Sequence, residues 1–336
     1  MDAPVSLSLA LGPLQPFLDD PAVVEICVNG PGKVFVERAG QGGMQFYDMP
    51  ELTATEIAWI SERIAGYSNQ FVNEENPLLS AALPTGERVQ IVRAPAAADG
   101  GAITIRKQVV KNLSLADYFK GGSFAGVGVA GSGVIDPIDR HLNALLDDGS
   151  EQAIFEFFRF AIRSKVTICA SGGTGGGKTT FLNAIIKDIP ADERIITIED
   201  TRELDIANPN AVALLTSRND QGVAKVDAVR LLEACLRMRP DRLLIGELRG
   251  QECFAFLRAV NTGHPGSLTS IHANSPDAAY EQMALLITQG GVQLPHDYLL
   301  RYLHMVIPVI VQIGRFDDGR PGKVQEIFFT RRTKKQ

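Results

Sequence analysis

Residues 166–183 read VTICASGGTGGGKTTFLN, which is a β-branched run, a glycine-rich loop and a helical stretch in succession. From Gly172 to Thr179 the stretch matches GxxxxGK[ST], and the strand before it and the helix after it are the context that supports a phosphate-binding loop. Glycines allow the backbone to wrap around phosphate oxygens, and the helix N-terminus adds N–H donors and positive potential. The stretch therefore predicts a nucleoside triphosphate site.

Each part of this loop has an expected task in a nucleoside triphosphatase. Lys178 is expected to reach the β- and γ-phosphates, and Thr179 is expected to ligate Mg²⁺. The predicted cofactors are therefore ATP and Mg²⁺. The predicted nucleotide-binding residues are Gly172, Gly173, Thr174, Gly175, Gly176, Gly177, Lys178, Thr179 and Thr180.

Two later β-branched runs end in carboxylates, IITIED at 195–200 and LLIGE at 243–247. In a parallel sheet, residues just past the C-terminal strand ends face the same crevice as the phosphate loop. Because Gly246 stands where an Asp commonly precedes the Glu, we assign Glu247 to water activation. The metal is left to Glu199 or Asp200, together with the loop threonine. The alternative is that these carboxylates only cap the helices that follow.

A third candidate segment, residues 262–274, reads TGHPGSLTSIHAN and carries two histidines. His264 and His272 flank a β-type run, and hydroxyl groups lie between them. Their spacing does not match a usual zinc motif. We therefore prefer a role in sensing the nucleotide state over metal binding.

The first 110 residues alternate short apolar runs with turn signals, which is typical of a small α+β domain. An apolar run, an Asn-Gly turn and a second β-branched run predict a hairpin. Apolar residues spaced by three and four predict an amphipathic helix. The predicted elements are the hairpin over 23–36, the helix over 55–67, and strands over 88–93 and 102–106.

The remainder of the chain divides into a linker and an α/β domain. Residues 121–133 hold six glycines, and such a stretch loses too much entropy on ordering to form a core element. We therefore predict a flexible linker over 111–150, acting as a hinge or as a tether between subunits. Over 151–336, helical stretches alternate with short β-branched runs, which predicts βαβ units and a mainly parallel sheet.

The composition of the chain argues against some classes of function. The chain has 336 residues and a net charge of −6, and phosphate-backbone affinity rests on concentrated Lys and Arg, which argues against direct nucleic-acid binding. The first basic residue is Lys33, and the apolar stretch 305–313 is too short to cross a bilayer. We expect a cytoplasmic protein, at most peripheral to a membrane. Cys27 and Cys169 lie in apolar runs and are expected to be buried free thiols.

Taken together, these motifs resemble the hexameric secretion ATPases. The resemblance is narrower to the ATPase of type IV, or conjugation-type, secretion systems, also called the P-type DNA transfer ATPase. It covers nearly the whole chain. The segments that carry it are the opening strand and turn at 24–32, the arginine segments at 83–91 and 103–107, the phosphate loop, the acidic segment at 198–204, the run 236–247, and the histidine segment at 263–272.

The resemblance implies a RecA-like ATPase domain at 151–336, behind the small N-terminal domain, and a six-membered ring of identical subunits. Nucleotide would lie in the crevice between the two domains, where Arg88 and Arg106 would bring positive charge to the γ-phosphate. It also implies other secretion-system ATPases and inner-membrane components as partners, on the cytoplasmic face of the inner membrane. The residues that would act in catalysis are Glu247, Glu199, Lys178, Arg88, Arg106 and His272.

Departures from the family pattern leave alternatives open. Gly173 and Gly176 stand where the family usually has Pro and Ser, and extra glycine makes the empty loop less rigid. The paired CxxC metal module of many type II secretion and pilus-assembly relatives is absent from the sequence. The first alternative is a pilus assembly, pilus retraction or type II secretion motor. The others are a nucleotide-gated module with little turnover and a nucleic-acid helicase.

Overall fold

A computed structural model describes residues 4–107, 114–127, 136–217 and 222–333. Its N-terminal part is built on a six-stranded antiparallel sheet in the order β3-β2-β1-β6-β5-β4. The strands are β1 Val23–Asn29, β2 Gly32–Arg38, β3 Met44–Met49, β4 Leu78–Ala82, β5 Arg88–Val92 and β6 Ala102–Arg106. The helices are α1 Val5–Ala10, α2 Gln15–Asp19 and α3 Ala54–Tyr67. The predicted α+β character of this region is confirmed.

The predicted hairpin is present as β1 and β2. Its turn needs glycine, because Gly30 has a φ of +98° and a Cβ there would lie 2.4 Å from the carbonyl oxygen of Asp99. The predicted helix is α3, whose first turn is capped by the Thr53 side chain accepting from the Glu56 N–H. Its buried face includes Ile57, Ile60 and Ile64, the spacing seen in the sequence.

The linker prediction is only partly matched. Residues 108–113 and 128–135 lie outside the described residues. Between and after them are two helices, α4 Leu115–Lys120 and α5 Pro137–Asp148. Helix α5 belongs to the C-terminal domain, because Leu142 is buried and the Asn143 side-chain amide donates to the carbonyl of Arg331. The C-terminal domain therefore includes residues 137–148. The prediction places these residues in the linker because the run before them is rich in glycine.

The C-terminal domain is a seven-stranded sheet in the order β13-β12-β7-β11-β10-β8-β9, parallel except for β13. Its strands are β7 Ile168–Ser171, β8 Ile195–Glu199, β9 Ala211–Leu215, β10 Arg242–Ile245, β11 Leu268–Ile271, β12 Val309–Arg315 and β13 Pro321–Phe329. The remaining helices are α6 Glu151–Arg163, α7 Lys178–Ile186, α8 Ala228–Cys235, α9 Glu252–Asn261, α10 Pro276–Gln289 and α11 His296–Val306. The predicted α/β class and mainly parallel sheet are confirmed.

The two domains contact each other through polar groups. The buried Arg194 guanidinium donates to the Asn29 side-chain oxygen at 2.7 Å. The Arg239 guanidinium pairs with both carboxylate oxygens of Glu37, at 2.7 and 3.0 Å. The segment 96–98 also bonds to the edge strand β9 through backbone groups. The N-terminal domain is thus attached at the outer edge of the parallel sheet and at the starts of β8 and β10.

All four cysteines are buried free thiols, as expected for Cys27 and Cys169. Across the described ranges, no helix combines the length and apolar character needed to cross a membrane.

Candidate active site

The loop between β7 and α7 adopts a conformation that only glycine permits. Gly177 has a φ of +98°, and a Cβ there would lie 2.6 Å from the backbone nitrogen of Gly322. A Cβ on Gly172 would lie 2.3 Å from the carbonyl oxygen of Ile313. At Gly176, the position where the family usually has Ser, a Cβ would approach the Gly173 carbonyl oxygen to 3.1 Å. The glycine-rich sequence therefore fits a closely packed loop at the N-terminus of a nine-residue helix.

Lys178 is held inside this loop. Its side chain is 8 % exposed, and burial lowers the pKa of its ammonium group. Nζ donates to the carbonyl oxygen of Gly172 at 3.0 Å and lies 3.1 Å from His272 Nδ1. Because the ammonium can only donate, Nδ1 is the acceptor in this contact. The other ring nitrogen, Nε2, is 2.7 Å from Glu247 Oε1.

Glu247 is also held from its other side. The Arg249 guanidinium donates through Nε to Glu247 Oε2 at 2.7 Å and through Nη1 to Asp200 Oδ2 at 2.8 Å. Asp200 Oδ1 in turn accepts from the Thr216 hydroxyl at 2.9 Å. A continuous row of polar contacts thus crosses the C-terminal ends of β7, β11, β10, β8 and β9, from Lys178 to Thr216.

Glu199 lies beside this row and is 5 % exposed, and its burial raises the pKa of the carboxyl group. Its Oε1 accepts from the backbone N–H groups of Glu203 and Leu204, both at 2.9 Å, whereas Oε2 is buried with no hydrogen-bond partner in the described chain. The carboxylate that contacts the loop threonine is instead Glu203, whose Oε2 accepts from the Thr179 hydroxyl at 3.2 Å.

These groups line a cavity of about 420 Å³, and its lining residues all fall between 174 and 272. The cavity therefore lies within the C-terminal domain, whereas the resemblance implied a crevice between the two domains. Of the predicted loop residues, those that line it are Thr174, Gly175, Lys178 and Thr179, and of the other predicted residues Glu199, Asp200, Glu247 and His272 do so as well. The remaining loop residues, Gly172, Gly173, Gly176, Gly177 and Thr180, supply backbone to the loop and to the first turn of α7.

Arg88 and Arg106 lie elsewhere in this chain. They are opposite each other on β5 and β6 and line a second cavity with Arg237. The Arg106 guanidinium is 3.6 Å from the carboxylate of the buried Glu25. His264 is also remote from the phosphate loop, because its Nδ1 lies 2.8 Å from the Pro240 carbonyl oxygen before the start of β10. The two histidines thus lie at opposite ends of β11.

Glu203, Arg249 and Thr216 are not among the site residues predicted from the sequence. Two of them could have been found by their closeness in sequence to predicted site residues, because Glu203 follows Glu199 by four residues and Arg249 follows Glu247 by two. Thr216 had no such signal, since its partner Asp200 comes from a neighbouring strand.

The residues present fit both ATP and Mg²⁺. Closely approaching glycine backbone, a helix N-terminus and a buried lysine are suited to phosphate oxygens. The Thr179 hydroxyl and the adjoining Glu203 carboxylate are hard oxygen donors of the kind that Mg²⁺ prefers. Within the described ranges, no group of three or more His, Cys, Asp or Glu side chains is arranged to hold a metal ion by itself.

Comparisons with a family model, with relatives and with solved structures all match secretion system proteins. The family described as Type II/IV secretion system protein matches residues 141–307. The chain is 38 % identical to the type IV secretion system protein VirB11 of Brucella suis, covering 98 % of this chain and 92 % of that protein. It is 37 % identical to the PtlH homolog of Bordetella bronchiseptica, covering 98 % and 96 %. A crystal structure of the VirB11 ATPase from the Brucella suis type IV secretion system, in complex with sulphate, superposes with a TM-score of 0.89 over 96 % of this chain and 94 % of that one.

Proposed function

This chain belongs to the VirB11 family of type IV secretion system ATPases, and from that premise we propose that it hydrolyses ATP in the cavity beside Lys178 to drive a type IV secretion machine. The observation that carries this proposal is the row of contacts from Lys178 through His272 to Glu247. It joins the cation suited to a γ-phosphate to the carboxylate suited to take a proton from water.

In the proposed reaction, Lys178 leaves the loop carbonyls and donates to phosphate oxygens instead. His272 Nδ1 then loses its donor, so the position of this ring reports whether the phosphate position is filled. Glu247 accepts the proton of the attacking water, while the neighbouring Arg249 guanidinium donates to that carboxylate and orients it. Each of these groups lies at a C-terminal strand end, where ligands bind in parallel sheets.

For the metal, we propose that Thr179 would be a ligand of Mg²⁺ and that Glu203 and the unpartnered oxygen of Glu199 would help to hold it. When bound, Mg²⁺ would neutralise charge on the phosphates. The contact between Thr179 and Glu203 supports this assignment, as does the buried unpartnered Oε2 of Glu199. We leave Asp200 out of the metal site, because its two carboxylate oxygens already accept hydrogen bonds from Arg249 and Thr216.

The oligomeric state, the location and the partners of this protein also belong to the proposal. We propose a ring of six copies on the cytoplasmic face of the inner membrane, in contact with other secretion-system ATPases and inner-membrane components. Arg88 and Arg106 would reach a γ-phosphate only when a neighbouring subunit or a movement of the N-terminal domain brings them to one. Their placement on a solvent-accessible cavity leaves them available for that contact.

A single substitution separates binding from hydrolysis. Glu247→Gln keeps the shape of the side chain but cannot take a proton from water, so we expect ATP binding close to that of wild type and turnover reduced roughly 100-fold or more. Glu233→Gln, on the exposed face of α8, is the matched control and should change neither quantity. A Glu247→Gln protein that hydrolyses ATP at the wild-type rate would refute the assignment of the base.

A further inference from the structure

The turn between β12 and β13, residues 315–320, lies directly against the phosphate loop. The Gly322 N–H donates to the carbonyl oxygen of Gly176 at 2.8 Å. A Cβ placed on Gly175 would lie 3.0 Å from Arg315 Nη2. The turn is itself closed by hydrogen bonds between Phe316 and Arg320 and between Gly319 and Phe316. It is therefore a fixed neighbour of the loop.

Arg315 presents an exposed cation beside the loop. Its Nη1 donates to the Gly319 carbonyl oxygen at 2.8 Å, and it forms no ion pair with any carboxylate of the described chain. The two aspartates of the turn are paired elsewhere, Asp318 with Arg320 and Asp317 with Lys323. Arg315 thus keeps free donors next to a loop suited to phosphate oxygens.

Phe316 supplies a flat apolar surface at the same place. Its side chain is 39 % exposed, and the Arg320 guanidinium lies 5.1 Å from the ring centroid. An aromatic ring stacked with a guanidinium is a surface on which a nucleic-acid base can stack.

The topology of the sheet gives the direction in which a bound nucleotide extends. Strand β7, which leads into the loop, lies between β11 and β12. The groups that act on the γ-phosphate, His272 and Glu247, follow β11 and β10 on one side of β7. The turn at 315–320 lies on the other side. A triphosphate whose γ-phosphate lies at Glu247 and whose other phosphates lie on the loop would extend toward the side of β7 on which Phe316 lies.

We propose that this turn is the nucleoside-binding element of the site, an inference that rests on the proposed function. Phe316, stacked with Arg320, receives the base, and Arg315 contacts the phosphates nearest the ribose. Because Gly322 fastens the turn to Gly176, the base surface is held in register with the phosphate loop.

The test compares ATP with inorganic tripolyphosphate, which lacks the nucleoside, by isothermal titration calorimetry of the full chain. Phe316→Ala should weaken ATP binding by roughly 10-fold, because a base stacking contact is lost, and should leave tripolyphosphate binding unchanged. Phe316→Trp should restore ATP binding. Arg315→Ala should weaken the binding of both ligands, and Arg315→Lys should recover part of it.

The chain offers a matched control in Phe155, which is 53 % exposed and lies under the Arg159 guanidinium on α6, in a helix outside the cavity. Phe155→Ala should bind both ligands as wild type does. If wild type binds both ligands and Phe316→Ala binds ATP within twofold of wild type, the base-binding assignment is overturned and the proposed function stands. If wild type binds neither ligand, the proposed function fails and this inference fails with it.

Discussion

Glu25 makes the stability of the protein sensitive to pH. This residue lies on β1, is 2 % exposed, and its Oε1 has no hydrogen-bond partner among the described residues. Burial raises the pKa of its carboxyl group from 4.5 to about 7, although Arg106 opposes the shift. A raised folded pKa means that folding favours the neutral acid. The contribution of Glu25 to the stability of the protein therefore falls as the pH rises from the unfolded value of 4.5 through about 7, and the loss is complete about one pH unit above that value.

The magnitude follows from the two pKa values. A pKa of about 7 in place of 4.5 corresponds to a full loss of about 3 kcal/mol in the free energy of unfolding. Between about pH 5 and about pH 8 the loss amounts to about 2 to 3 kcal/mol, because part of it has occurred already at the lower pH. Glu25→Gln stays neutral throughout, so its stability relative to wild type should increase by about this amount between the two pH values.

The assay is urea unfolding of wild type and Glu25→Gln at both pH values, with Glu74→Gln as the control. Glu74 is exposed in the connection between α3 and β4, and its substitution should give the same difference at both pH values. If Glu25→Gln differs from wild type equally at about pH 5 and about pH 8, Glu25 is not a buried acid with a raised pKa.

Two further substitutions test single contacts. Glu203→Gln should raise the Mg²⁺ concentration for half-maximal ATP turnover by roughly 10-fold, because the carboxylate beside Thr179 loses its charge, and an unchanged requirement would remove Glu203 from the metal site. Glu37→Gln should lower the free energy of unfolding by about 1 to 2 kcal/mol, because it breaks the paired contact with Arg239. The exposed Glu51→Gln is its control, and a loss no larger than that of the control would show that this pair does not join the domains.

Local patterns in the sequence predicted those parts of the fold that depend on near neighbours. The hairpin around Asn29-Gly30 and the loop before Lys178 both need glycine at defined backbone positions. A short run of consecutive residues is enough to show each of them. The apolar spacing of α3 is equally local. These elements, the α/β class and the parallel sheet were all predictable.

Contacts between distant segments were not predictable in the same way. Helix α5 was assigned to the linker because the glycines before it dominate the composition, whereas its contact with Arg331 comes from the far end of the chain. The antiparallel strand β13 carries no alternation that distinguishes it from the parallel strands.

The candidate site shows the same division. Glu247, Glu199 and Asp200 could be placed near the loop because parallel strands end at one edge of a sheet. Which carboxylate contacts Thr179 depends on how the segment after β8 turns, and that turn is set by Glu199 accepting two backbone N–H groups. The position of Arg88 and Arg106 relative to the phosphate loop depends on how the two domains pack. No local sequence pattern predicts that packing.

The central claim is that this chain hydrolyses ATP at the loop that holds Lys178, and Mg²⁺-dependent phosphate release by purified Lys178→Ala tests it most directly. Lys187→Ala, at the exposed end of α7, is the matched control and should turn over ATP as wild type does. We predict that Lys178→Ala lowers turnover by roughly 100-fold or more, because the developing charge on the phosphate loses its fixed cation. A folded Lys178→Ala protein with turnover within a few-fold of wild type would contradict the claim.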